Sequence, residues 1–260
     1  VSPSARISSG AGAWVVVCCR KSLIMARLRQ RMKILIVNPN TTAAMTRSIG
    51  EAAQSVAGSD TVIDATNPES GPPSIQGPED GEAALPGLFA VFEDRLRAGH
   101  DYDAAIVACF DDTGLGTLKA QAGIPVLGIG EAAFHAAMMV ADRFSVVTTL
   151  AISVPVIEGN IAAYGFAARC ARVRASGVPV LALEDEAFDA AAPIRAEVLK
   201  ALQEDQCGAV VLGCAGMARL AEEFGDVHGF PVIDGVTAAV RMCETLIQLR
   251  LRPILGDIGS

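Results

Sequence analysis

The stretch AAIVACFDDTG, residues 104–114, places an apolar run of strand type directly before Cys109, which two carboxylates and a glycine turn follow. The stretch AVVLGCAGM, residues 209–217, repeats the pattern, because a second apolar run ends in Cys214 before a turn that contains glycine. Continuous apolar runs of this kind are typical of strands that are buried on both faces of a parallel sheet. The two stretches therefore predict corresponding strands, each with a cysteine at its carboxyl end.

The repeat extends to both sides of the two cysteines. On the amino-terminal side, ILIVNPNTT (34–42) is answered by FSVVTTLAIS (144–153), and each is a strand that ends in a hydroxyl-rich loop before a helix. On the carboxyl-terminal side, IPVLGIGEAAFHAA (124–137) is answered by FPVIDGVTAAVRM (230–242). The cysteine of each half precedes the proline of the next strand by a similar interval, 16 residues in one half and 17 in the other. Recurrence in the same order indicates two similar lobes.

Strand-like runs alternate with helical patterns along the chain, which indicates βαβ units and parallel sheets. We expect an α/β fold of two pseudo-symmetric lobes, each a parallel sheet flanked by helices, with the active site in the cleft between them. The predicted strands lie at 33–38, 61–67, 103–110, 124–130, 144–150, 172–181, 208–214 and 230–235. The predicted helices lie within 43–58 and near 82–98, 115–122, 131–142, 155–165 and 187–205, and a final helix follows the last strand and ends at about Leu249. Asn40 or Thr41 is available to cap the first of these helices.

The distribution of charge bears on partners and on the first 31 residues. The net charge of −8 argues against a nucleic-acid partner, because phosphate binding needs clusters of Lys and Arg. Six of the 21 basic side chains and none of the 29 acidic ones lie in residues 1–31, so the remainder carries −14. The apolar stretch AWVVVCC (13–19) is too short to span a bilayer. We expect residues 1–31 to be an extension, disordered or the product of an upstream start, before a natural start at Met32; a transit-like or membrane-touching leader is the alternative.

Cysteine usage indicates the compartment. The chain has seven cysteines, an odd number, and no pair has CxxC spacing. Without a convincing signal peptide, this pattern predicts a reduced, cytoplasmic protein with free thiols. Outside the repeat, Cys170, Cys207 and Cys243 are expected to be packing residues.

Cys109 and Cys214 are the candidate catalytic residues. Ligands of open parallel sheets bind outside the carboxyl ends of the strands, so two lobes that face each other would bring both sulfurs to one cleft. Each sulfur would lie near a helix N-terminus, which lowers the pKa of a thiol. One thiolate could then remove a proton from a substrate carbon while the other thiol delivers a proton to the opposite face. Inert packing is the alternative for a single such cysteine, but the symmetric placement of two favours catalysis.

The two acids after Cys109 need a separate explanation, because carboxylates beside a thiolate raise its pKa. One interpretation is that Asp112 caps the helix that follows Cys109 and that at least one carboxylate points away from the sulfur. The other is that Asp111 accepts a hydrogen bond from a substrate N–H group. The sequence leaves both open.

Other chemistries find little support. His100, His135 and His228 lack the spacing of metal ligands, so no metal site is predicted. GIGEAA (128–133) matches a loose dinucleotide-binding pattern, but the next strand does not end in an acid, and helix–strand packing explains its glycines better. DTG (112–114) matches the aspartic protease motif, which belongs to all-β proteins. We expect no cofactor.

Six motifs together resemble the hydantoin racemases of the aspartate/glutamate racemase superfamily. They are VNPNTTAAMT, ACFDDTGL, RFSVVTTLAISVPVIE, VPVLALED, VLGCAGM and PVIDGVTAAV, and the resemblance extends from Met32 to about Leu249. It implies a cofactor-independent racemase whose catalytic cysteines are Cys109 and Cys214. Homo-oligomers are usual among such relatives, so a homo-oligomer is expected.

The resemblance also implies interleaved lobes. The first lobe would consist of residues 32–129 and 232–260, and the second of residues 130–231. One departure from the family pattern is Thr113, where the closest relatives carry proline. This departure changes the rigidity of the turn but removes no chemical group.

The residues after each cysteine separate this chain from the amino-acid racemases. In those relatives the cysteines are followed by polar groups suited to an α-carboxylate and an ammonium, whereas here two acids and an apolar wall follow them. A neutral hydantoin ring with N–H donors and an apolar substituent suits such a pocket better, and its C5 proton is easier to remove than the α-proton of a zwitterion.

Further binding roles follow from the positions of the loops. The carbonyl oxygen that gains charge is expected to bind backbone N–H groups and the hydroxyl of Thr41 or Thr148. Asn38 and Asn40 could complete the hydrogen bonding of the ring. The candidate substrate-binding residues are Asn38, Asn40, Thr41, Phe110, Asp111, Thr113, Gly114, Thr148, Thr149, Ala215 and Gly216.

The predicted function is the racemisation of 5-monosubstituted hydantoins, with a small-molecule substrate and no nucleic-acid or membrane partner. Racemisation of allantoin on the same scaffold is the nearest alternative. Aspartate or glutamate racemisation and a thiol-assisted decarboxylation of the arylmalonate type are less favoured. A non-catalytic small-molecule sensor is the alternative from a different class, but binding alone gives no reason for matched thiols.

Overall fold

The computed structural model describes residues 31–97, 101–185 and 187–254, without the side chains of residues 222 and 226–228. Residues 1–30, which the sequence predicts to be an extension, therefore lie outside the described residues. The described residues of Met32–Ser260 form one compact unit. Within the described ranges, no helix has the length and apolar character needed to cross a membrane.

Two four-stranded parallel sheets form the framework of this unit. The first sheet consists of β1 (Met32–Val37), β2 (Thr61–Thr66), β3 (Ala104–Val107) and β4 (Val126–Gly128), in the order β2-β1-β3-β4. The second consists of β5 (Phe144–Thr148), β6 (Cys170–Ala175), β7 (Ala209–Gly213) and β8 (Val232–Asp234), in the order β6-β5-β7-β8. The two orders correspond strand by strand, and the predicted fold class is confirmed.

Helices connect successive strands of each sheet, as parallel connections require. In chain order they are α1 (Ala43–Val56), α2 (Pro78–Arg97), α3 (Leu115–Gln121), α4 (Ile129–Val140), α5 (Val154–Ala163), α6 (Ala191–Glu204), α7 (Ala218–His228) and α8 (Gly235–Gln248).

Alternation along the strands divides the apolar side chains between the two faces of each sheet. In β1, Leu35 and Val37 lie in a cluster with side chains of α2 and α3. Ile34 and Ile36 lie on the opposite face, in a larger core that also contains strands of the second sheet. The second sheet is arranged in the same way, with α6 and α7 on its outer face. Both faces are thus buried, which explains why the strands read as continuous apolar runs.

Helices α4 and α8 pack against each other between the two sheets. Helix α4 follows the last strand of the first sheet and packs against β7 and β8, whereas α8 follows the last strand of the second sheet and packs against β1, β3 and β4. Because each helix continues from one sheet and covers the other, the two halves share one core. The lobe boundaries expected after residues 129 and 231 remain a prediction.

Two parts of the second half differ from the sequence prediction. Helix α7 is not predicted, although Ala221 and Phe224 are spaced as on one helix face and are buried against the sheet. The strand predicted over 172–181 ends at Ala175, since Gly177 adopts a left-handed φ of 78° and a 3-10 turn follows over Val180–Glu184. An apolar run that follows a glycine turn can thus belong to a loop that folds over the sheet.

The close approach of α4 and α8 yields a test of the fold. A Cβ atom on Gly235 would lie 2.2 Å from the carbonyl oxygen of Ile129, so both helix starts would have to move. We expect Gly235→Ala to lower the free energy of unfolding by about 1–3 kcal/mol, as overpacking does. Chemical denaturation followed by circular dichroism measures the change.

A matched control for this substitution is Gly159→Ala in α5. That glycine is exposed and has nothing within 4 Å of the added methyl group, so the substitution should be neutral or stabilise the helix by up to about 1 kcal/mol. Equal effects of the two substitutions would contradict the close approach of α4 and α8.

Candidate active site

Cys109 lies in a tight turn just beyond the carboxyl end of β3. The N–H of Asp112 donates to the carbonyl oxygen of Cys109 at 3.0 Å, and the N–H of Leu115 donates to that of Asp112 at 3.1 Å. Asp112 and Gly114 both adopt left-handed conformations, with φ of 48° and 71°. Glycine adopts this conformation without strain, and aspartate tolerates it better than most residues do. This turn reverses the chain and begins α3.

Cys214 occupies the corresponding place in the second sheet, directly after β7. It is extended (φ −157°, ψ 140°) and begins a 3-10 turn over Ala215–Met217, in which the N–H of Met217 donates to the carbonyl of Cys214 at 3.0 Å. The hydroxyl of Thr148, at the end of β5, donates to the carbonyl oxygen of Gly213 at 2.9 Å. This bond ties the ends of the two central strands together beside the cysteine.

A single cavity contacts both cysteines. It has about 380 Å³ of empty space, counting the part that is open to solvent. Its lining consists of Asn40, Met45, Ile75, Ala108, Cys109, Phe110, Asp111, Thr148, Thr149, Ser153, Val180, Gly213, Cys214 and Ala215. The structure thus brings the two candidate catalytic residues together with six of the eleven candidate binding residues.

Burial raises the pKa of both thiols. The pKa of Cys109 is raised by loss of hydration and then by the negative charge of Asp111, while the hydroxyl of Thr113 and the N–H of Asp111 lower it. Burial raises the pKa of Cys214 to about 12, against a hydrogen bond from the N–H of Gly216. Backbone N–H groups at the two turns lower the pKa of the thiols, as expected, but the loss of hydration outweighs them. At neutral pH both thiols hold their protons.

Asp111 contributes the carboxylate of the cavity. Burial raises its pKa to about 6, so it is mainly ionised at neutral pH. Among the described residues its side chain has no hydrogen-bond partner, whereas its carbonyl oxygen accepts from the side-chain amide of Asn160 at 2.8 Å. The backbone is therefore held by α5, and the carboxylate is left with acceptor capacity toward the cavity.

Asp112 points away from the cavity and caps a different helix from the one expected. Its two carboxylate oxygens accept from the N–H groups of Gly130 (3.0 Å) and Glu131 (2.8 Å), in the first turn of α4, and from the hydroxyl of Tyr164 (2.8 Å). The prediction that Asp112 caps the helix after Cys109 is wrong. The left-handed backbone at Asp112 directs the side chain back across the sheet to α4.

This cap explains the glycines of GIGEAA. A Cβ on Gly128 would lie 2.0 Å from Oδ1 of Asp112, and a Cβ on Gly130 would lie 2.5 Å from the carbonyl oxygen of Phe110. The two glycines let the turn after β3 lie directly on the start of α4. Helix–strand packing, rather than dinucleotide binding, accounts for the pattern.

The asparagines of the first loop support the cavity to different degrees. Asn40 lines it, while Asn38 lies behind it and donates to Oδ1 of Asn40 (2.9 Å) and to the hydroxyl of Thr46 (3.0 Å). Helix α1 is preceded by Thr42 rather than by Asn40 or Thr41 as cap, and the N–H of Thr42 donates to Oδ1 of Asn40 at 2.9 Å. Asn38 is therefore a buried support of Asn40.

The threonines expected to face a carbonyl oxygen are mostly engaged elsewhere. Thr148 lines the cavity, but its one hydroxyl proton is donated to Gly213. Thr41 is absent from the lining, and its hydroxyl donates to the carbonyl oxygen of Pro72 at 3.4 Å. Neither hydroxyl is placed to stabilise charge on a ligand. Thr149 lines the cavity, and its hydroxyl has no partner among the described residues, so it is the better donor.

Of the remaining candidate residues, Phe110 and Ala215 line the cavity, and the others lie behind it. The hydroxyl of Thr113 donates to Sγ of Cys109 at 3.6 Å, and Gly114 directly precedes α3. Ala215 lines the cavity, while Gly216 contributes an N–H to Cys214. Phe110 forms the apolar end of the cavity and packs edge-on against Phe134, with 5.4 Å between ring centres.

Sequence reasoning misses four lining side chains that come from loops and a helix. Ile75 belongs to the Pro- and Gly-rich loop before α2, and Val180 to the 3-10 turn after β6; the N–H of Val180 donates to Oε1 of Gln76 at 3.2 Å. Met45 and Ser153 complete the set. Only Ser153 carries a local signal, the hydroxyl-rich loop TTLAIS, whereas loops that fold over a cavity leave no periodic pattern.

The other described cysteines and His135 lie outside the cavity lining, whereas Cys18, Cys19 and His100 are not among the described residues. Cys243 is buried in the core, and Cys170 and Cys207 are half-buried; with Cys109 and Cys214 they are free thiols. His135 is exposed on α4. Among the described residues, no three His, Cys, Asp or Glu side chains form a group that could hold a metal ion.

The chain is similar to racemases both in sequence and in structure. The family described as Asp/Glu/hydantoin racemase matches residues 34–243. The hydantoin racemase of Rhizobium meliloti is 44% identical over 216 residues, which cover 83% of this chain and 89% of that protein. The allantoin racemase from Klebsiella pneumoniae is 41% identical with a TM-score of 0.83, over 88% of this chain and 95% of that one. That from Pseudomonas fluorescens is 37% identical with a TM-score of 0.81, over 88% and 99%.

The cap by Asp112 can be tested through Tyr164. Burial raises the pKa of Asp112 to about 7, while the hydroxyl of Tyr164 opposes this effect by stabilising the ionised form. We expect Tyr164→Phe to lower the free energy of unfolding by about 1–3 kcal/mol above pH 7, where Asp112 is ionised, because the hydrogen bond to a charged group is lost.

The loss caused by Tyr164→Phe should be smaller at pH 5, where Asp112 is protonated and the hydrogen bond that is removed is a neutral one. Urea denaturation at the two pH values measures both losses. A loss that is independent of pH would contradict an ionised acceptor.

Proposed function

We propose that this chain, which belongs to the Asp/Glu/hydantoin racemase family and is an isomerase, racemises 5-monosubstituted hydantoins by proton transfer between its two strand-end cysteines. The observation that carries the proposal is that Cys109 and Cys214 line the same cavity from corresponding strands of the two sheets. Thiols on opposite sides of one carbon atom can act as base and acid toward its two faces.

The proposed reaction balances without any other reactant. The thiolate of one cysteine removes the C5 proton of the ring, and the electron pair of the C–H bond moves into the adjacent carbonyl group, whose oxygen becomes negative. The thiol of the other cysteine then donates its proton to the opposite face of C5. One thiolate and one thiol remain, with their roles exchanged, so the enzyme is ready for the opposite enantiomer.

One thiol must lose its proton before the reaction starts, and burial opposes this. The N–H of Gly216 supports the thiolate of Cys214, and the N–H of Asp111 supports that of Cys109. Because the pKa of both thiols is raised, the reactive form is a minor one at neutral pH. A ring carbon whose proton is comparatively acidic suits such weakly activated thiols.

The charge of the cavity supports a neutral ring as substrate. An ionised Asp111 would repel the α-carboxylate of an amino acid, whereas it can accept a hydrogen bond from a ring N–H. This extends the interpretation in which Asp111 binds the substrate. The unpartnered hydroxyl of Thr149 and backbone N–H groups of the cysteine turns are proposed to face the oxygen that gains charge.

The walls of the cavity support an apolar group at C5. Ile75, Val180, Met45 and Phe110 present aliphatic and aromatic surface to it. Allantoin is a second candidate, since it is a hydantoin ring with a ureido group at C5, and two allantoin racemase structures are similar to this chain. The shared ring would be bound in the same way, and only the contacts of the substituent would differ.

The reaction can be tested by following the optical rotation of an enantiopure 5-substituted hydantoin in heavy water, beside allantoin and L-glutamate. We expect loss of rotation with deuterium gained at C5, fastest with the hydantoin. Cys109→Ala and Cys214→Ala should each abolish racemisation. A variant that retains one of the two cysteines can still exchange the C5 proton of one enantiomer, because the remaining thiolate reaches one face of C5.

A matched control for these variants is Cys170→Ala. Cys170 begins β6 and is thus at the amino end of the sheet, away from the cavity, so its replacement should leave the rate unchanged. Racemisation that survives loss of either cavity cysteine would overturn the two-thiol mechanism. Faster turnover of allantoin would keep that mechanism and reassign the substituent.

The role of Asp111 predicts two opposite effects of Asp111→Asn. Removing its negative charge should lower the pKa of both thiols and speed their alkylation above pH 6, where Asp111 is ionised in the parent protein. Loss of the charged acceptor should raise KM by about tenfold, as for one hydrogen bond to a charged group. Racemisation kinetics and alkylation rates measure the two effects.

Glu51→Gln is the matched control for Asp111→Asn, because Glu51 is exposed on α1. This substitution should leave the KM and the alkylation rates of both thiols unchanged. An unchanged KM for Asp111→Asn would show that Asp111 does not bind the substrate. If the thiols also reacted at the parent rate, Asp111 would have no electrostatic contact with the cysteines.

A further inference from the structure

The side chain of Thr113 forms a hydrogen bond with one of the two cysteines. Its Oγ1 donates to Sγ of Cys109 at 3.6 Å, within the range for bonds to the larger sulfur atom. Thr113 is buried (9% exposed), so bulk water competes little for this hydroxyl. A hydroxyl that donates to sulfur stabilises a thiolate more than a thiol, because the acceptor then carries a full charge.

The turn around Thr113 limits where its hydroxyl can point. On one side, the carboxylate of Asp112 is held by two N–H groups of α4 and by the hydroxyl of Tyr164. On the other side, Gly114 directly precedes α3 in a left-handed conformation. With both neighbours fixed, the backbone of Thr113 is held in place, so less conformational freedom is lost when its hydroxyl bonds to the sulfur.

Among the residues that the structure describes, no hydroxyl forms an equivalent bond with Cys214. Its turn, Ala215–Met217, contains no hydroxyl side chain, and the N–H of Gly216 is the donor that supports Cys214. The charged and titratable groups also differ, since Asp111 and Cys214 act on Cys109, whereas Asp111 and Glu184 act on Cys214. The two thiols are therefore related by the repeat but lie in different environments.

We propose that Thr113 is a positioning residue that orients the sulfur of Cys109 and stabilises its thiolate, so that the two cysteines are chemically unequal. The inference rests on the proposed two-thiol function, because only there does the thiolate of Cys109 have a role. Thr113 touches the thiol rather than the substrate.

The chemical difference between the two cysteines affects some kinetic quantities and not others. Two enantiomers have equal free energies in solution, so kcat/KM must be the same in both directions whatever the two thiols do. Thr113 therefore acts on the reactivity of Cys109 and on the pH at which the enzyme becomes active. This equality also serves as an internal check on any kinetic measurement of a Thr113 variant.

Peptide-resolved alkylation with iodoacetamide tests the inference on the full chain. Thr113→Val replaces the hydroxyl with a methyl group of similar size, and Thr113→Ser retains the hydroxyl. At pH 7 we expect alkylation of Cys109 to be about tenfold slower in the valine variant, as for one pKa unit, and close to the parent rate in the serine variant. Cys214, measured in the same samples, should react at the parent rate in all three proteins.

The pH profile of racemisation gives a second readout. The valine variant should be slower near neutral pH and should approach the serine variant as the pH rises, because alkali forms the thiolate without the hydroxyl. An unchanged rate of Cys109 alkylation in Thr113→Val would overturn the inference. So would equal slowing at both cysteines, or failure of serine to restore the rate.

Failure of this inference is distinct from failure of the proposed function. Alkylation does not require turnover, so the Thr113 variants report on Cys109 in a protein of any activity. If Cys109→Ala still racemised hydantoins, the proposed function would fail whatever the alkylation rates. If Cys109→Ala were inactive and Thr113→Val behaved as the parent, only the role of Thr113 would fail.

Discussion

The buried carboxylate of Asp112 is the interaction on which the geometry of the site depends. It accepts two N–H groups from the start of α4 and the hydroxyl of Tyr164, and so connects the turn after β3 with elements that cover the second sheet. Because Asp112 points toward α4, Asp111 is left as the carboxylate of the cavity. The same turn directs Thr113 to the sulfur of Cys109. The capping contact of Asp112 thus determines how its two neighbours in the chain, Asp111 and Thr113, are oriented.

Burial opposes the ionisation of the thiols at this site. Burying the thiols at the carboxyl ends of strands in the two sheets lets both line one cavity, but the loss of hydration raises the pKa of both. A thiol at the surface would ionise more readily. The negative charge of Asp111 raises the pKa of both thiols further. This charge favours binding only if the ligand offers N–H groups to the carboxylate. The arrangement therefore favours a substrate whose proton is acidic enough for a weakly activated base.

Features set by local periodicity could be predicted from the sequence, and features set by distant contacts could not. Apolar runs that end in Cys109 and Cys214 predict both strands and both cavity positions, because parallel strands buried on two faces have a continuous pattern. The hydrogen-bond partners of Asp112 depend on its left-handed backbone and on the position of α4. One of these partners, the N–H of Gly130, is 18 residues away in the chain. The bond from Thr148 to Gly213 spans 65 residues. Nothing near either residue in the sequence indicates these partners.

The internal repeat explains why the two halves of the site agree in backbone and differ in chemistry. The proposed two-base reaction requires one group at each face of the carbon, and the corresponding strand ends bring one thiol each to the same cavity. Equal efficiency in the two directions needs no equality of the groups, because it follows from the equal free energies of the enantiomers. The turns after the cysteines are therefore free to diverge. The turn after Cys109 holds Asp111, which faces the cavity, and Thr113, whose hydroxyl donates to the sulfur, whereas Ala215, Gly216 and Met217 after Cys214 form an apolar turn.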